Sequence, residues 1–167
     1  TPAGIDAAVD GGADRLELCS ALALGGLTPP ASLIRRAAGA PIPTHLLARP
    51  RDGNFRYDAA EVTLIAEDIR LAAEAGLAGV VIGASDGDGR LDDNVLAQWV
   101  ALARVEGEKR GRPLALTLHR AFDLCPNLSD ALEVAIDLGF DRILTSGGAA
   151  RAVDALETLT GLVEQAA

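Results

Sequence analysis

The stretch LALTLHRAFD, residues 114–123, predicts a buried β-strand that ends in polar residues. Apolar side chains fill most of it up to Leu118, which is typical of a strand covered on both faces. The stretch then delivers His119, Arg120 and, three residues further on, Asp123. A polar side chain on such a strand must be hydrogen-bonded or face a cavity, because burying it without a partner is costly. This stretch is therefore the first candidate for chemistry.

On either side of this strand, predicted helices and strands alternate along the chain. Asp58 and Glu61 match a capping box at the start of a long helix that stops at Gly76, and Thr28 is predicted to cap the second helix. Strict alternation predicts parallel strands joined by right-handed crossovers. The five expected strands lie at residues 15–20, 44–49, 79–84, 114–119 and 142–148.

An internal repeat indicates how many such units the fold contains. GADRLEL from Gly12, GLAGVVI from Gly76 and GFDRILT from Gly139 each place a helix-ending glycine before a strand, at offsets of 64 and 63 residues. Four such quarters make eight βα units, or about 250 residues in a closed barrel. The chain is therefore expected to form either an open α/β sheet or part of a barrel.

Composition narrows the class of protein and the class of partner. The chain is 49% hydrophobic but only 3% aromatic, which favours helices packed on a parallel sheet in one domain. A net charge of −9 argues against nucleic acid or an anionic membrane as partner. No apolar run approaches the roughly 18 residues of a membrane span, so a soluble, intracellular protein is expected.

The carboxyl ends of parallel strands are where ligands bind in barrels and open α/β sheets. His119 lies at such an end, and an ordinary histidine pKa suits it to proton transfer near neutrality. Asp123 could orient the imidazole if the chain turns back after the strand. The alternative is a half-buried histidine bonded to a backbone carbonyl.

Anion binding is the second chemistry that this rim predicts, since guanidinium groups bind carboxylates and phosphates in bidentate fashion. The candidate arginines are Arg49, Arg51 and Arg120. The backbone amides of Ser146 and Gly147, before the last helix, form a further candidate anion site. The alternative is that the arginines form ion pairs with Glu17, Asp52 and Asp123.

Two cysteines, 106 residues apart and outside any CxxC motif, predict reduced thiols rather than a disulfide framework. Cys19 shares a strand face with Glu17, and its thiolate would be a soft ligand for Cu(I). A buried, inert thiol is the commoner alternative. Cys125 lies in a loop and has the weaker claim, while His45 is expected in the core.

Four segments taken together resemble the copper homeostasis protein CutC family. They are ADRLELCSALALGGLTPP, IPTHLLARPRDGNFRY, LHRAFD and DRILTSGG, in this order along nearly the whole chain. The resemblance implies a (β/α)8 TIM barrel, a cytoplasmic location, homo-oligomers and a link to copper through cysteines such as Cys19. It also implies a rim site of matching residues, namely Glu17, Cys19, Arg49, Arg51, His119, Arg120 and Asp123.

The expected structure is thus a single α/β domain over residues 1–167, an arc of a TIM barrel with five parallel strands and without the barrel's first strand and last βα units. Three functions follow as hypotheses. The first is Cu(I) binding through Cys19, and the second is an interaction scaffold without activity. The third is an enzyme acting on a small anion, with His119, Asp123 and Glu17 catalytic and with Arg49, Arg51, Arg120, Ser146 and Gly147 binding the substrate.

Overall fold

Strands and helices alternate throughout the computed structural model, which describes residues 1–167. The strands are β1 Leu16–Leu18, β2 Thr44–Leu47, β3 Gly79–Ile82, β4 Ala115–Leu118 and β5 Arg142–Ile143. The helices are α1 Pro2–Asp10, α2 Ala31–Ala38, α3 Ala59–Glu74, α4 Asp93–Lys109, α5 Leu128–Leu138 and α6 Leu156–Gln165. Short 3-10 turns follow β1 and β4 and precede α6.

The five strands form one parallel sheet in the order β1-β2-β3-β4-β5. The strands at its two ends do not pair with each other, so the sheet is open. Each neighbouring pair is connected by a helix, as parallel pairing requires. The predicted α/β class, with five parallel strands and flanking helices, is therefore confirmed.

Side chains alternate between the two faces of the sheet, and the two faces differ in character. Leu46, Val80 and Leu116 belong to the continuous core that the sheet forms with the helices, whereas the buried Leu47 and Val81 lie outside that cluster, on the opposite face. That opposite face is called the inner face here. Strand register places its residues in layers, one of them Glu17, His45, Gly79 and Ala115, and the next Leu47, Val81, Thr117 and Arg142.

Helix starts follow the side chains that cap them. The Asp58 carboxylate accepts from the Glu61 amide while the Glu61 carboxylate accepts from the Asp58 amide, so the predicted capping box is present. Asp92 caps α4 and Asn127 caps α5 through side-chain oxygens that accept backbone N–H bonds of the first turn. None of the helices combines the length and the apolar composition needed to cross a membrane.

Two sequence predictions about element ends were wrong. Thr28 does not cap α2, because its hydroxyl donates to the Asp68 carboxylate at 2.8 Å and accepts from the Arg49 amide at 2.8 Å. The last strand ends at Ile143 rather than near residue 148, since after the Leu144 amide, which still donates to the Leu118 carbonyl, the amides of Ser146 and Gly148 bond to the Asp123 carboxylate. Both differences arise from contacts between residues far apart in the sequence.

Truncating a leucine of the core should show how far the sheet depends on its helix-facing side. Leu118→Ala removes a side chain that is 0% exposed, and we expect it to lower the free energy of unfolding by about 3 kcal/mol through lost burial and a new cavity. Leu22→Ala is the matched control, because Leu22 is 79% exposed and should change stability by less than about 0.5 kcal/mol. Urea unfolding followed by circular dichroism measures both, and equal losses would contradict the assignment.

Candidate functional site

The carboxyl ends of the strands surround a cavity of about 380 Å³ on the inner face. Five of the predicted site residues line this cavity, namely Glu17, Arg49, His119, Arg120 and Asp123. The other four, Cys19, Arg51, Ser146 and Gly147, are not among its lining residues. Only part of the predicted rim site therefore surrounds this cavity. The contacts of each residue indicate its role.

Arg49 lies just past β2 and is only 6% exposed. Its Nη1 donates to the carbonyl oxygens of Leu24 at 2.9 Å and Gly26 at 3.1 Å, and its Nη2 donates to that of Gly53 at 3.1 Å. No carboxylate lies within salt-bridge distance, and the buried Nε–H has no hydrogen-bond partner. Arg49 thus carries a buried positive charge that backbone carbonyls and the ring of Phe55 offset, but no carboxylate does.

His119 lies one residue past β4 and is 4% exposed. Its Nδ1 accepts a hydrogen bond from the Ala121 amide at 3.1 Å, so the neutral ring carries its proton on Nε2. Burial, reinforced by the charge of Arg49, lowers the pKa of His119 to about 3. The predicted proton carrier is therefore a neutral hydrogen-bond donor at neutral pH, and its buried Nε2 has no partner.

Glycines on β3 and just past it make room for the two imidazoles of the inner face. A Cβ at Gly83 would lie 2.4 Å from Cε1 of His119, and a Cβ at Gly79 would lie 2.9 Å from Nδ1 of His45. Both histidine rings therefore pack directly on the β3 backbone. His45 is buried, as expected from the sequence, and burial together with Arg15 lowers its pKa to about 4.

Phe55 packs against both Arg49 and His119 at the rim. Its ring centroid lies 4.5 Å from that of His119 and 4.8 Å from Cζ of Arg49. The loop that carries Phe55 is attached to the sheet by the Ser85 amide, which donates to the Phe55 carbonyl at 2.9 Å. Sequence reasoning missed this residue, although an aromatic side chain in a strand-end loop of a chain with only three phenylalanines was an available signal.

Asp123 holds the loop after β5 rather than the imidazole. One carboxylate oxygen accepts from the Thr145 hydroxyl at 2.5 Å and from the Gly148 amide at 3.0 Å, and the Ser146 amide donates at 3.1 Å. Burial would raise the pKa of Asp123, but these hydrogen bonds and that of Arg120 lower it below its ordinary value. The orienting partner of His119 is the Ala121 amide.

Two of the three predicted anion-binding arginines are neutralised within the chain. Arg51 forms a salt bridge with Glu61 and lies over the ring of Tyr57, with 5.4 Å from Cζ to the ring centroid. Arg120 donates to Asp123 at 2.6 Å. Among the three, Arg49 alone lacks a carboxylate partner.

The two cysteines, which are the candidate copper ligands, lie on opposite sides of the sheet. Cys19 lies beside Gly26 on the inner side of the sheet, and burial together with the charge of Glu17 raises its pKa. Cys125 belongs to the helix-facing core, and its Sγ lies 3.7 Å from the Ala121 carbonyl oxygen. No group of three or more histidine, cysteine or acidic side chains is placed to hold a metal ion. Cu(I) prefers soft ligands such as thiolates. The two thiols of this chain lie on opposite sides of the sheet, so they cannot bind one copper ion together.

Comparison with protein-family models matches residues 1–167 to the CutC family. A CutC family protein of Caulobacter vibrioides is 54% identical over 166 residues, and one of Vibrio cholerae is 47% identical over 161 residues. These matches cover 99% and 96% of this chain but 64% and 61% of the two relatives. The chain thus spans somewhat less than two thirds of the length of the curated relatives it matches.

Solved structures agree with the sequence comparison. The crystal structure of a CutC protein from Streptococcus agalactiae has a TM-score of 0.82 at 30% identity, covering 92% of this chain and 73% of that protein. A 2,3-dimethylmalate lyase of the PEP mutase/isocitrate lyase superfamily has a TM-score of 0.64 at 15% identity, covering 99% and 61%. At that identity the second likeness concerns the fold alone, which is of the TIM-barrel type.

His119 should make the protein less stable in mild acid. The unfolded chain binds a proton on this histidine near its ordinary pKa of 6.5, whereas the folded chain does not until about pH 3. Stability from this residue is therefore complete above pH 6.5 and is lost as pH falls, by about 2 kcal/mol between pH 7 and pH 5. His119→Asn cannot be protonated there but can still accept from the Ala121 amide.

Urea unfolding of wild type and His119→Asn at pH 7 and pH 5 measures this loss, and the variant should be the less sensitive of the two. His45 is present in both proteins, so its own contribution cancels in the difference. An identical pH dependence would show that His119 is not kept neutral by the fold.

Proposed function

We propose that this chain, which belongs to the CutC family, binds a small organic anion at the rim of its barrel-type sheet. The observation that carries the proposal is the guanidinium group of Arg49, which is buried, lines the 380 Å³ cavity and has no carboxylate partner. An unneutralised buried charge is costly, and an anion in the cavity would offset that cost. Arg49 is accordingly the anchor of the site.

His119 supplies the second polar contact in this proposal. His119 lines the same cavity, its buried Nε2–H has no hydrogen-bond partner, and the ring stays neutral at physiological pH. A neutral imidazole in a dry site can donate a hydrogen bond to a carbonyl or carboxylate oxygen and polarise it. His119 therefore acts as an electrophilic donor rather than as a base that gains a proton.

Glu17 is the group best suited to move a proton at this rim. Its side chain lines the cavity and is exposed to solvent there, and partial desolvation raises its pKa above the ordinary value although Arg15 partly opposes this. A carboxylate whose pKa is raised is a better proton acceptor at neutral pH. Together, Arg49, His119 and Glu17 offer binding, polarisation and proton transfer, which are the elements of enzymatic chemistry on a small carboxylate.

Copper is the second candidate, because the Streptococcus agalactiae relative is named for copper homeostasis. The observation in its favour is that Cys19 is partly exposed on the inner side, near the rim. The side chains around Cys19 do not favour a fully coordinated copper site. Cys19 supplies one thiol, and no cluster of histidine or acidic side chains surrounds it. Cu(I) binding through Cys19 would need a soft ligand from another chain or segment.

Three broader expectations remain parts of the proposal. They are a cytoplasmic location, association into homo-oligomers, and completion of the barrel by strands beyond β1 and β5. The unpaired edges of these two strands support the last, since an exposed parallel edge favours further pairing. Light scattering coupled to size-exclusion chromatography measures the association.

Removing the anchor should abolish anion binding. Arg49→Gln deletes the charge, and we expect a small carboxylate that raises the melting temperature of wild type to lose at least about tenfold in affinity, the usual effect of losing a charged hydrogen bond. Arg35→Gln, an exposed arginine on α2, is the matched control and should bind as wild type does.

Since Arg49→Gln also loosens two loops, Arg49→Lys and His119→Asn serve as second variants, with circular dichroism to check folding. The first keeps the charge without the planar fork, and the second keeps Arg49 intact, so each should show an intermediate loss. A carboxylate that binds all these variants as tightly as wild type would contradict the proposal.

Copper affinity should be low and should depend little on either thiol. In an anaerobic Cu(I) titration against a competing chelator, we expect Cys19→Ser and Cys125→Ser to change the affinity by less than about threefold, because the two thiols lie on opposite sides of the sheet. A tight one-to-one site that is lost in Cys19→Ser but retained in Cys125→Ser would establish Cys19 as a ligand and contradict this expectation.

A further inference from the structure

We infer that the ligand of this rim is a monoanion with an apolar body, of the class of aromatic or branched carboxylates, and not a phosphate. The inference rests on the proposed anion site at Arg49 and goes further by naming the chemical class that fits. Three features of the cavity carry it, namely its charge, its backbone amides and its apolar wall.

The cavity offers a ligand no more than one positive charge without a carboxylate partner, that of Arg49. Arg120 is paired with Asp123, so these two lining residues cancel. Arg49 is then the one lining cation without a carboxylate partner, and Glu17 adds negative charge whenever it is ionised. His119 contributes no charge, because it is neutral at physiological pH. A phosphate dianion would therefore face one uncompensated cation and up to one additional anion.

The backbone amides that would hold a phosphate are already occupied. In many barrels, loops near a helix N-terminus bind phosphate through successive N–H groups. Here the amides of Ser146 and Gly148 donate to the Asp123 carboxylate at 3.1 Å and 3.0 Å, and the Gly147 amide donates to the Thr145 hydroxyl at 2.9 Å. The carboxylate of Asp123 takes the place that an anionic ligand would need.

The rest of the cavity wall is apolar and incompletely covered. Leu24, Leu124 and Leu144 line it and are 50%, 57% and 43% exposed. The ring of Phe55 belongs to the same lining and lies 4.8 Å from Cζ of Arg49 and 4.5 Å from the ring of His119. A ligand with an apolar or planar body would cover these side chains while its carboxylate reaches Arg49. A volume of about 380 Å³ lies at the small end of the range for small-molecule sites.

Four probes separate the charge of the ligand from its body: benzoate, acetate, phenyl phosphate and inorganic phosphate. Dissociation constants come from amide chemical-shift titrations of the isotope-labelled chain at neutral pH. We expect benzoate to bind at least tenfold more tightly than acetate, phenyl phosphate and inorganic phosphate. Phenyl phosphate or acetate binding as tightly as benzoate would overturn the inference.

Variants of two phenylalanines test the wall. Phe55→Ala should raise the dissociation constant of benzoate at least fivefold and change that of acetate less than twofold. The reason is that benzoate has an aromatic ring in contact with Phe55, whereas acetate does not. Phe140→Ala, in a phenylalanine outside this cavity, is the matched control and should leave both constants unchanged. Equal weakening of benzoate and acetate in Phe55→Ala would overturn the role of the wall.

Arg49→Gln separates the test of the ligand's chemical class from the test of the anion site itself. If phenyl phosphate binds best and is lost in Arg49→Gln, the monoanion class is wrong while the anion site stands. If no probe binds wild type, or if every probe binds Arg49→Gln unchanged, the anion site itself is wrong and the inference falls with it.

Discussion

A buried guanidinium group fastened to backbone carbonyls is the interaction on which the rim of this protein depends. Arg49 comes from the end of β2 and bonds to carbonyl oxygens at Leu24, Gly26 and Gly53, so it joins the loop after β1 to the loop after its own strand. Carbonyl oxygens offset the cation only in part, so Arg49 is the group at the rim that can attract an anion. The loop carrying Gly53 then places Phe55 against His119.

The same charge determines what His119 can do. Burial and the nearby guanidinium both disfavour the imidazolium form, so the two residues act as a unit in which one keeps the positive charge and the other stays neutral. The ring is held between Phe55 and the backbone of Gly83, which restricts it to one orientation. A ring that is rigid, neutral and dry is better prepared to polarise a bound group than to exchange protons with solvent.

Much of this structure follows from local sequence signals. The capping box at Asp58, the strand–helix alternation and the inward position of His119 depend on residues close together in the chain, and each was predictable. The roles of the polar side chains were not. Asp123 reaches a loop more than twenty residues later, and Arg51 pairs with Glu61 on the next helix, so only the folded chain reveals which charges are cancelled.

The hydrogen bonds of Asp123 to the loop after β5 make this loop and the turn after β4 structurally interdependent. Its carboxylate takes hydrogen bonds from Thr145, Ser146 and Gly148, so neither the turn after β4 nor the loop after β5 keeps its shape alone. Barrels are often regarded as modular, with each strand-end loop exchangeable for another. In this protein the two loops would have to be grafted together.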